Sequence, residues 1–381
     1  MAQKTRSIFE EVGTTQKQVA TPGGIDARGQ GARGAIRIWL MMLFALLVVM
    51  IAVGGLTRLT DSGLSITEWA PISGAVPPLN DADWQAEFEA YKQIPEYQLQ
   101  NAGMSLAEFK VIYWWEWGHR QLGRVIGLVW AMGFFGFLAA RKIPQGWTGR
   151  LFFIGALGGL QGAIGWWMVS SGLTGEQLDV KSYRLATHLG LAFVIFGFIT
   201  WYIMKIARRS ADLLTARRAS DATLVRLTTV LIGLTFLQII LGALVAGIDA
   251  GRAYPDWPLM AGGFLPPQMW ELSPVWRNLF ENNGTVQFIH RMSGYFLFVF
   301  ALFVWWRSRR SANTRTRQAF ALMMGMMVVQ MVIGIWTVMM MAPAHIAILH
   351  QFGAVVLWVL VLRTRFVSRY PFAQSVREAR A

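Results

Sequence analysis

Eight stretches of roughly 20 predominantly apolar residues fix what this chain can become. They lie at about 37–57, 118–140, 150–170, 184–204, 224–247, 286–306, 318–340 and 344–363. At ~1.5 Å of rise per residue each is long enough, as a helix, to cross ~30 Å of hydrocarbon. Hydrocarbon offers no partner for a bare backbone, so a spanning segment is a helix or part of a closed barrel. These segments are about twice the length of a barrel strand. The expected fold class is therefore an all-α integral membrane protein. The composition agrees, with 54% hydrophobic and 15% charged residues among 381. No cysteine is present, which removes disulfides, thiolate metal ligands, iron–sulfur clusters and covalent c-type haem attachment.

The net charge of +14 suggests nucleic acid until its distribution is examined. The two tails and alternate loops hold 25 of the 35 Lys and Arg but only 6 of the 21 Asp and Glu. An excess of cations on one side is the positive-inside pattern, which puts both termini in the cytoplasm of a bacterial inner membrane. The basic clusters are short inner loops, and no folded basic domain remains to bind nucleic acid. Residues 1–35 lack an apolar core before a cleavage site, so they read as a flexible cytoplasmic tail rather than a signal peptide.

The chain also repeats itself. Asp61-Ser62-Gly63, Glu68-Trp69 and Gly74 recur at identical spacing as Asp249-Ala250-Gly251, Asp256-Trp257 and Gly262. Pro77-Pro78 answers Pro266-Pro267, and His119-Arg120-x-x-Gly123 answers His290-Arg291-x-x-Gly294. Gln161-x-x-Ile164-Gly165-x-Trp167 matches Gln330-x-x-Ile333-Gly334-x-Trp336, and His188 matches His350. The expected architecture is two duplicated four-helix bundles, residues 36–206 and 224–365. A cytoplasmic linker at 207–223 joins them, and 366–381 forms a second tail. Four helices per copy is an even number, so both copies enter the membrane from the same side. A pseudo-twofold along the membrane normal relates such copies.

Four of the five histidines fall in this repeat. His119, His188, His290 and His350 each lie near the outer start of a helix running inward. Neutral imidazoles are good iron ligands, and helical bundles build cofactor sites in their interiors. Paired as His119 with His188 and His290 with His350, they suit two bis-histidine haem sites. His345 has no counterpart and is not expected to be a ligand. Arg120 and Arg291, one residue after a histidine, are expected to meet haem propionates, because a guanidinium matches a carboxylate. Arg124 is a weaker candidate, and snorkelling to headgroups is the competing reading for all three. Gln161 and Gln330 read either as partners of a histidine or substrate or as packing glue.

Glu116 is the asymmetry between the copies, since Gln287 holds the matching position. A carboxylate near hydrocarbon carries a penalty on the order of 2.5–3.5 kcal/mol, which makes it a functional hypothesis. A hydrated interfacial position is the alternative. In the long first outer segment, Trp84, Phe88 and Tyr91 share a helical face. They read either as an interfacial anchor or as part of a lid. Ser105-x-x-Glu108 predicts a capping box that opens the next helix.

These motifs together resemble the haem A synthase family over residues 36–365. The carriers are Gly54-Gly55-Leu56-Thr57-Arg58-Leu59-Thr60, Ser62 through Trp69, Glu116-Trp117-Gly118-His119-Arg120, Gln161 through Met168, Thr187-His188-Leu189-Gly190, His290-Arg291 and His350-Gln351. Without outer-loop cysteines, the chain looks like the proteobacterial–mitochondrial branch. The resemblance implies oxidation of a ring methyl of haem O, in successive steps, to the formyl group of haem A. It implies substrate haem between His119 and His188, haem b between His290 and His350, and Glu116 acting at the substrate methyl. It also implies haem O synthase as a partner within the lipid membrane and an electron acceptor that the residues do not identify. A homo-oligomer is compatible with this reading. The main rival is a diheme b-type electron-transfer cytochrome, which leaves the Glu116/Gln287 difference without a purpose. A second rival, a transporter with a histidine proton relay, predicts a colourless protein.

Overall fold

The computed structural model describes residues 30–175 and 178–374. The helices in chain order are α1 (Gln30–Leu59), α2 (Asp81–Tyr91), α3 (Pro95–Leu99), α4 (Leu106–Ala139), α5 (Thr148–Val169) and α6 (Ser182–Ile206). They continue with α7 (Ser210–Arg218), α8 (Ala222–Gly247), α9 (Asn278–Glu281), α10 (Asn283–Ser308), α11 (Thr314–Met339) and α12 (Ala344–Arg369). Among the described residues eight helices are long and apolar enough to cross a membrane: α1, α4, α5, α6, α8, α10, α11 and α12. Each contains or nearly matches an apolar stretch read from the sequence, so this is a multi-pass all-α membrane protein.

The boundaries differ where polar residues continue a helix past its apolar core. Helix α1 begins at Gln30, inside the tail expected at 1–35, whose earlier residues lie outside the described ones. Helix α12 runs to Arg369, past the expected end at 365. The linker 207–223 contains α7, which buries Leu213 and Ala216 against Phe366 and Tyr370 and carries Arg217 and Arg218 in its last turn. The largest difference is α4, which starts at Leu106 on the predicted capping box and spans 34 residues. The Ser105 side chain accepts from the Glu108 amide, and Glu108 returns a bond to the Ser105 amide. His119 thus lies more than three turns into its helix, although it is near the start of the apolar stretch.

The halves meet through α1, α6, α8 and α12, and α6 is the most buried of the spanning helices. Helix α6 packs on α8 as α12 packs on α1, and α1 packs on α6 as α8 packs on α12. The Trp358 indole donates to the Phe193 carbonyl at 3.2 Å, and Gly197 gives it room. Gln351 donates to the Ile51 carbonyl at 2.6 Å across α12 and α1. At the C-terminal end of α1 Arg58 reaches Asp61 at 2.9 Å, Asp249 at 2.9 Å and Asp179 at 3.3 Å. One guanidinium thereby ties the end of α1 to the α5–α6 loop and to the end of α8. Asp61 and Asp249, which hold matching places in the repeat, both have left-handed backbones, with φ 48° and 52°. Aspartate tolerates that conformation better than most residues.

The outer extension of α4 builds a small core with α2. Trp84, Phe88 and Tyr91 are buried against Phe109 and Tyr113, with ring centroids 5.0 Å apart for Trp84–Tyr113 and for Phe88–Phe109. The interfacial-anchor reading of these three side chains is therefore wrong: their apolar face packs on protein. Beneath them, Glu96 is 3% exposed. It accepts from the Tyr91 hydroxyl at 2.9 Å and from the Asn101 amide at 3.4 Å. Burial pushes the Glu96 carboxyl up to about 8. A carboxyl raised in the fold favours the folded state while protonated. Its contribution is complete below the unfolded value near 4.5 and is lost as pH rises through about 8. Thermal unfolding of the outer subdomain, followed by limited proteolysis between pH 5 and pH 8.5, is expected to move to lower temperature as pH rises. Glu96→Gln should flatten most of that slope.

Candidate functional site

The four histidines take one local arrangement four times. His119 on α4 lies against Gly54 on α1, and a Cβ there would stand 2.8 Å from His119 Cε1. The corresponding distances are 2.9 Å for Gly165 on α5 to His188 on α6, 3.1 Å for Gly242 on α8 to His290 on α10, and 2.9 Å for Gly334 on α11 to His350 on α12. Real Cβ atoms essentially never approach below 3.0 Å, so a larger residue at three of these places displaces the ring. Every histidine helix is thus seated on the spanning helix before it, at a glycine. His188 lies within electrostatic reach of His119, and His290 within reach of His350. The rings sit deep among protein atoms, yet every histidine keeps partial surface, as residues facing an internal space do.

Glutamines brace three of the four. Gln161 Nε2 lies 3.2 Å from His188 Nδ1 and donates to the His188 carbonyl at 3.0 Å. Gln330 repeats this with His350 at 3.2 and 2.9 Å. Gln238, which the sequence reading missed, does so with His290 at 3.1 and 3.0 Å. Gln161 and Gln330 therefore partner histidines. Their Oε1 atoms are buried without a hydrogen-bond partner.

Beside the histidines, charged residues hold down the outer loops. Glu116 is 3% exposed. One carboxylate oxygen accepts from the Ser65 hydroxyl and the Ile66 amide, both at 2.8 Å. The other accepts from Arg120 Nε at 3.0 Å and Nη2 at 2.6 Å. Arg120 also donates to the carbonyls of Ile66 at 2.8 Å and Glu68 at 2.9 Å. In the second half Arg291 donates to the carbonyls of Tyr254 at 2.8 Å and Asp256 at 2.9 Å, the matching loop positions. Gln287 donates to the Tyr254 carbonyl at 3.2 Å. Arg124 binds the carbonyls of Ala70 and Pro71 at 2.9 and 3.0 Å. Arg120 thus divides its hydrogen bonds between Glu116 and two loop carbonyls, whereas those of Arg291 all go to loop carbonyls. Glu116 is not a hydrated interfacial group, because both oxygens are bound inside the protein.

The remaining landmarks resolve simply. His345 lines an apolar cavity between α1 and α12 with Val48, Ile51 and Phe352, apart from both pairs. Gly155 seats the Trp130 indole, and Gly123 faces the Met50 methyl, so neither lies against a histidine. Met323, Met324 and Met327 are buried in the core that α11 forms with α8, α10 and α12. Among the described residues no three metal-ligating side chains cluster.

Fold and site define a class: a multi-pass helical membrane protein with four histidines seated at glycines between its spanning helices, close to loops held by buried charged side chains. The family model described as COX15-CtaA, cytochrome oxidase assembly protein, matches residues 37–362, and the chain belongs to that family. It is 68% identical to a protein named heme A synthase from Dinoroseobacter shibae, over 99% of each chain. It is 62% identical to one of the same name from Ruegeria sp. strain TM1040, over 98% of this chain and 99% of that one. Identity to the Cereibacter sphaeroides protein of that name is 59%, over 99% of each.

Proposed function

We propose that the chain is a haem A synthase. It oxidises a ring methyl of haem O through hydroxylated stages to the formyl group of haem A, for terminal oxidase assembly. The observation that carries this reading is the likeness of the chain, from end to end, to proteins of that name, and the four histidines seated at glycines between spanning helices support it. The halves 36–206 and 224–365 are copies related by a pseudo-twofold along the membrane normal. The recurring Gly–His seats and Arg–carbonyl bonds support that relation. Both termini face the cytoplasm of the inner membrane, and the histidines lie toward its outer face, as the charge asymmetry requires.

Substrate haem lies between His119 and His188, and haem b between His290 and His350. Support for the fit comes from the electrostatic reach within each pair, the glycines that leave room beside all four rings, and the His119 Nδ1 and glutamine Oε1 atoms buried without partners. When bound, haem b supplies a one-electron redox centre. Glu116 is the group at the reacting end. Its anion is preorganised by Ser65, Ile66 and Arg120, one turn before His119, and acts electrostatically on positive charge developing at the methyl. Gln287 has no charge to offer. Haem O synthase hands over the substrate within the lipid, and the acceptor of the electrons is a separate partner.

Co-expression with haem O synthase, purification and mass spectrometry of the extracted haems test the reading. Haem A or hydroxylated haem O beside haem b supports it, and haem b alone refutes it. The structure adds a sharper variant. Gln287 shows that an amide here still holds the loop through a carbonyl, so Glu116→Gln removes charge while the loop stays docked. We expect unchanged haem content and at least ~10²-fold less haem A. Normal turnover would remove Glu116 from the chemistry.

A further inference from the structure

Two seams join the halves, and the repeat in the sequence lets each be read against the other. In one, α6 packs on α8; in the other, α12 packs on α1. Aligning histidines and glycine seats matches Phe236, Ile240, Leu189 and Gly190 of the first seam with Val48, Ala52, Gln351 and Phe352 of the second. The α6–α8 seam is closed, since a Cβ on Gly190 would stand 2.5 Å from Ile240 Cδ1 and 3.6 Å from Phe236 Cζ. In the α1–α12 seam, valine and alanine stand where phenylalanine and isoleucine fill the other, and a cavity of about 320 Å³ remains. Ile51 and Val355 form its buried floor, whereas Leu349 and Phe352, exposed on a spanning helix, mark a mouth toward lipid. His345, exposed in the first turn of α12, is at the rim. Gln351 is the polar group of the wall. Its amide donates to the Ile51 carbonyl at 2.6 Å, and Gly55 lacks the side chain that would collide with it. Among the described residues this amide makes no other hydrogen bond, which leaves an N–H for a ligand.

We propose that this cavity binds a membrane quinone and that the quinone is the oxidant of the reaction. The inference rests on the functional reading above and names the acceptor which that reading leaves open. Turning a ring methyl and one water into a formyl group releases four electrons and four protons, and two quinones take them up as two quinols. An oxidant that enters between α1 and α12 from the bilayer must dissolve in lipid, and a quinone does so through its apolar tail. Its ring suits these walls, because small-molecule sites are largely apolar with a few placed polar groups. Its carbonyl accepts from the free Gln351 N–H. Gln351 follows His350 directly in the chain, and α1 seats His119 at Gly54, so the cavity borders one helix that serves each histidine pair. A fatty acyl chain has no use for the amide or for that position.

In the first test, the purified, haem-loaded protein in phosphatidylethanolamine–phosphatidylglycerol vesicles is irradiated with an azidoquinone. Labelled peptides are mapped by mass spectrometry. Labels are expected on α1 and α12 at the cavity, displaced by decylubiquinone but not by a saturated fatty alcohol of equal chain length. This measurement needs no variant to fold. In the second, the protein is reduced without oxygen and mixed with decylubiquinone, and haem reoxidation is followed by absorbance. The rate should saturate with quinone. Val48→Phe with Ala52→Ile installs the residues that close the sister seam. It should slow reoxidation at least ~10-fold by removing the apolar space for a ring, with haem content unchanged. Gln351→Leu, again the sister residue, should raise the half-saturating concentration about 3–10-fold, the worth of one hydrogen bond. Labels elsewhere, displacement by the alcohol as readily as by the quinone, or reoxidation unaltered in every variant overturns the inference. A protein that takes quinone here yet makes no haem A refutes instead the functional reading beneath it.

Discussion

His119→Ala is expected to abolish haem A formation and to remove one of two bound haems while the other remains. His290→Ala should remove the other one. Each histidine packs on a glycine of its own helical neighbour, not on the opposite pair, so truncating one ring leaves the seat of the other pair intact. The cavity created is partly offset because the neighbouring glycine has no side chain to leave stranded, and the protein should still fold. Quantified haem per chain, together with mass spectra of the extracted haems, checks both variants. His345→Ala is the control: it borders the α1–α12 cavity with Val48 and Phe352 and should leave haem content and product unchanged. If His119→Ala still yields haem A, the substrate site lies elsewhere. If His345→Ala loses a haem, the pairing is wrong.

How much of this was legible beforehand follows from the kind of interaction involved. The spanning helices were legible because hydrophobic length is a local property, and the capping box at Ser105 and Glu108 because it lies within four residues. The four histidines stood out because a repeat brought four distant positions into register, and each proves to sit at a glycine of a neighbouring helix. What was missed depends on contacts between helices. Gly54, Gly165, Gly242 and Gly334 stand on different helices from the rings they admit, and helical periodicity does not report which neighbour faces them. Gln238 was missed because its matching residue is Met50, so a search for identities between the halves passes over it. Aligning the four preceding helices with one another, rather than the two halves, would have exposed it. The start of α4 was legible at its capping box, but its unbroken run into the spanning segment was not, because the first turns are held by α2, through Trp84 and Tyr113, rather than by lipid.

Arg120→Ala is expected to be the most destabilising single change among the charged residues of the outer face. It removes the bidentate partner of a carboxylate that is 3% exposed, along with two bonds to the loop carbonyls of Ile66 and Glu68. Breaking a buried ion pair from one side leaves an uncompensated charge, at about 3–5 kcal/mol. Glu116→Gln breaks the same pair from the other side with less consequence, because Arg120 retains its carbonyl partners and is more exposed, at 19% of its side chain. The order of effects therefore separates charge from docking. The double variant Arg120→Ala with Glu116→Gln should regain much of the stability, since no buried anion remains, yet still make no haem A. Arg291→Ala is the internal comparison. It costs carbonyl bonds but strands no carboxylate, because Gln287 stands where Glu116 does, so its loss should be smaller than that of Arg120→Ala. Thermal unfolding in detergent gives the order, and protease cleavage within residues 60–105 reports release of the first outer loop. Equal losses for Arg120→Ala and the double variant would mean that the loop bonds, not the buried anion, dominate. In that case Glu116 is a latch whose charge is incidental to stability, and the activity of Glu116→Gln alone decides whether that charge serves the chemistry.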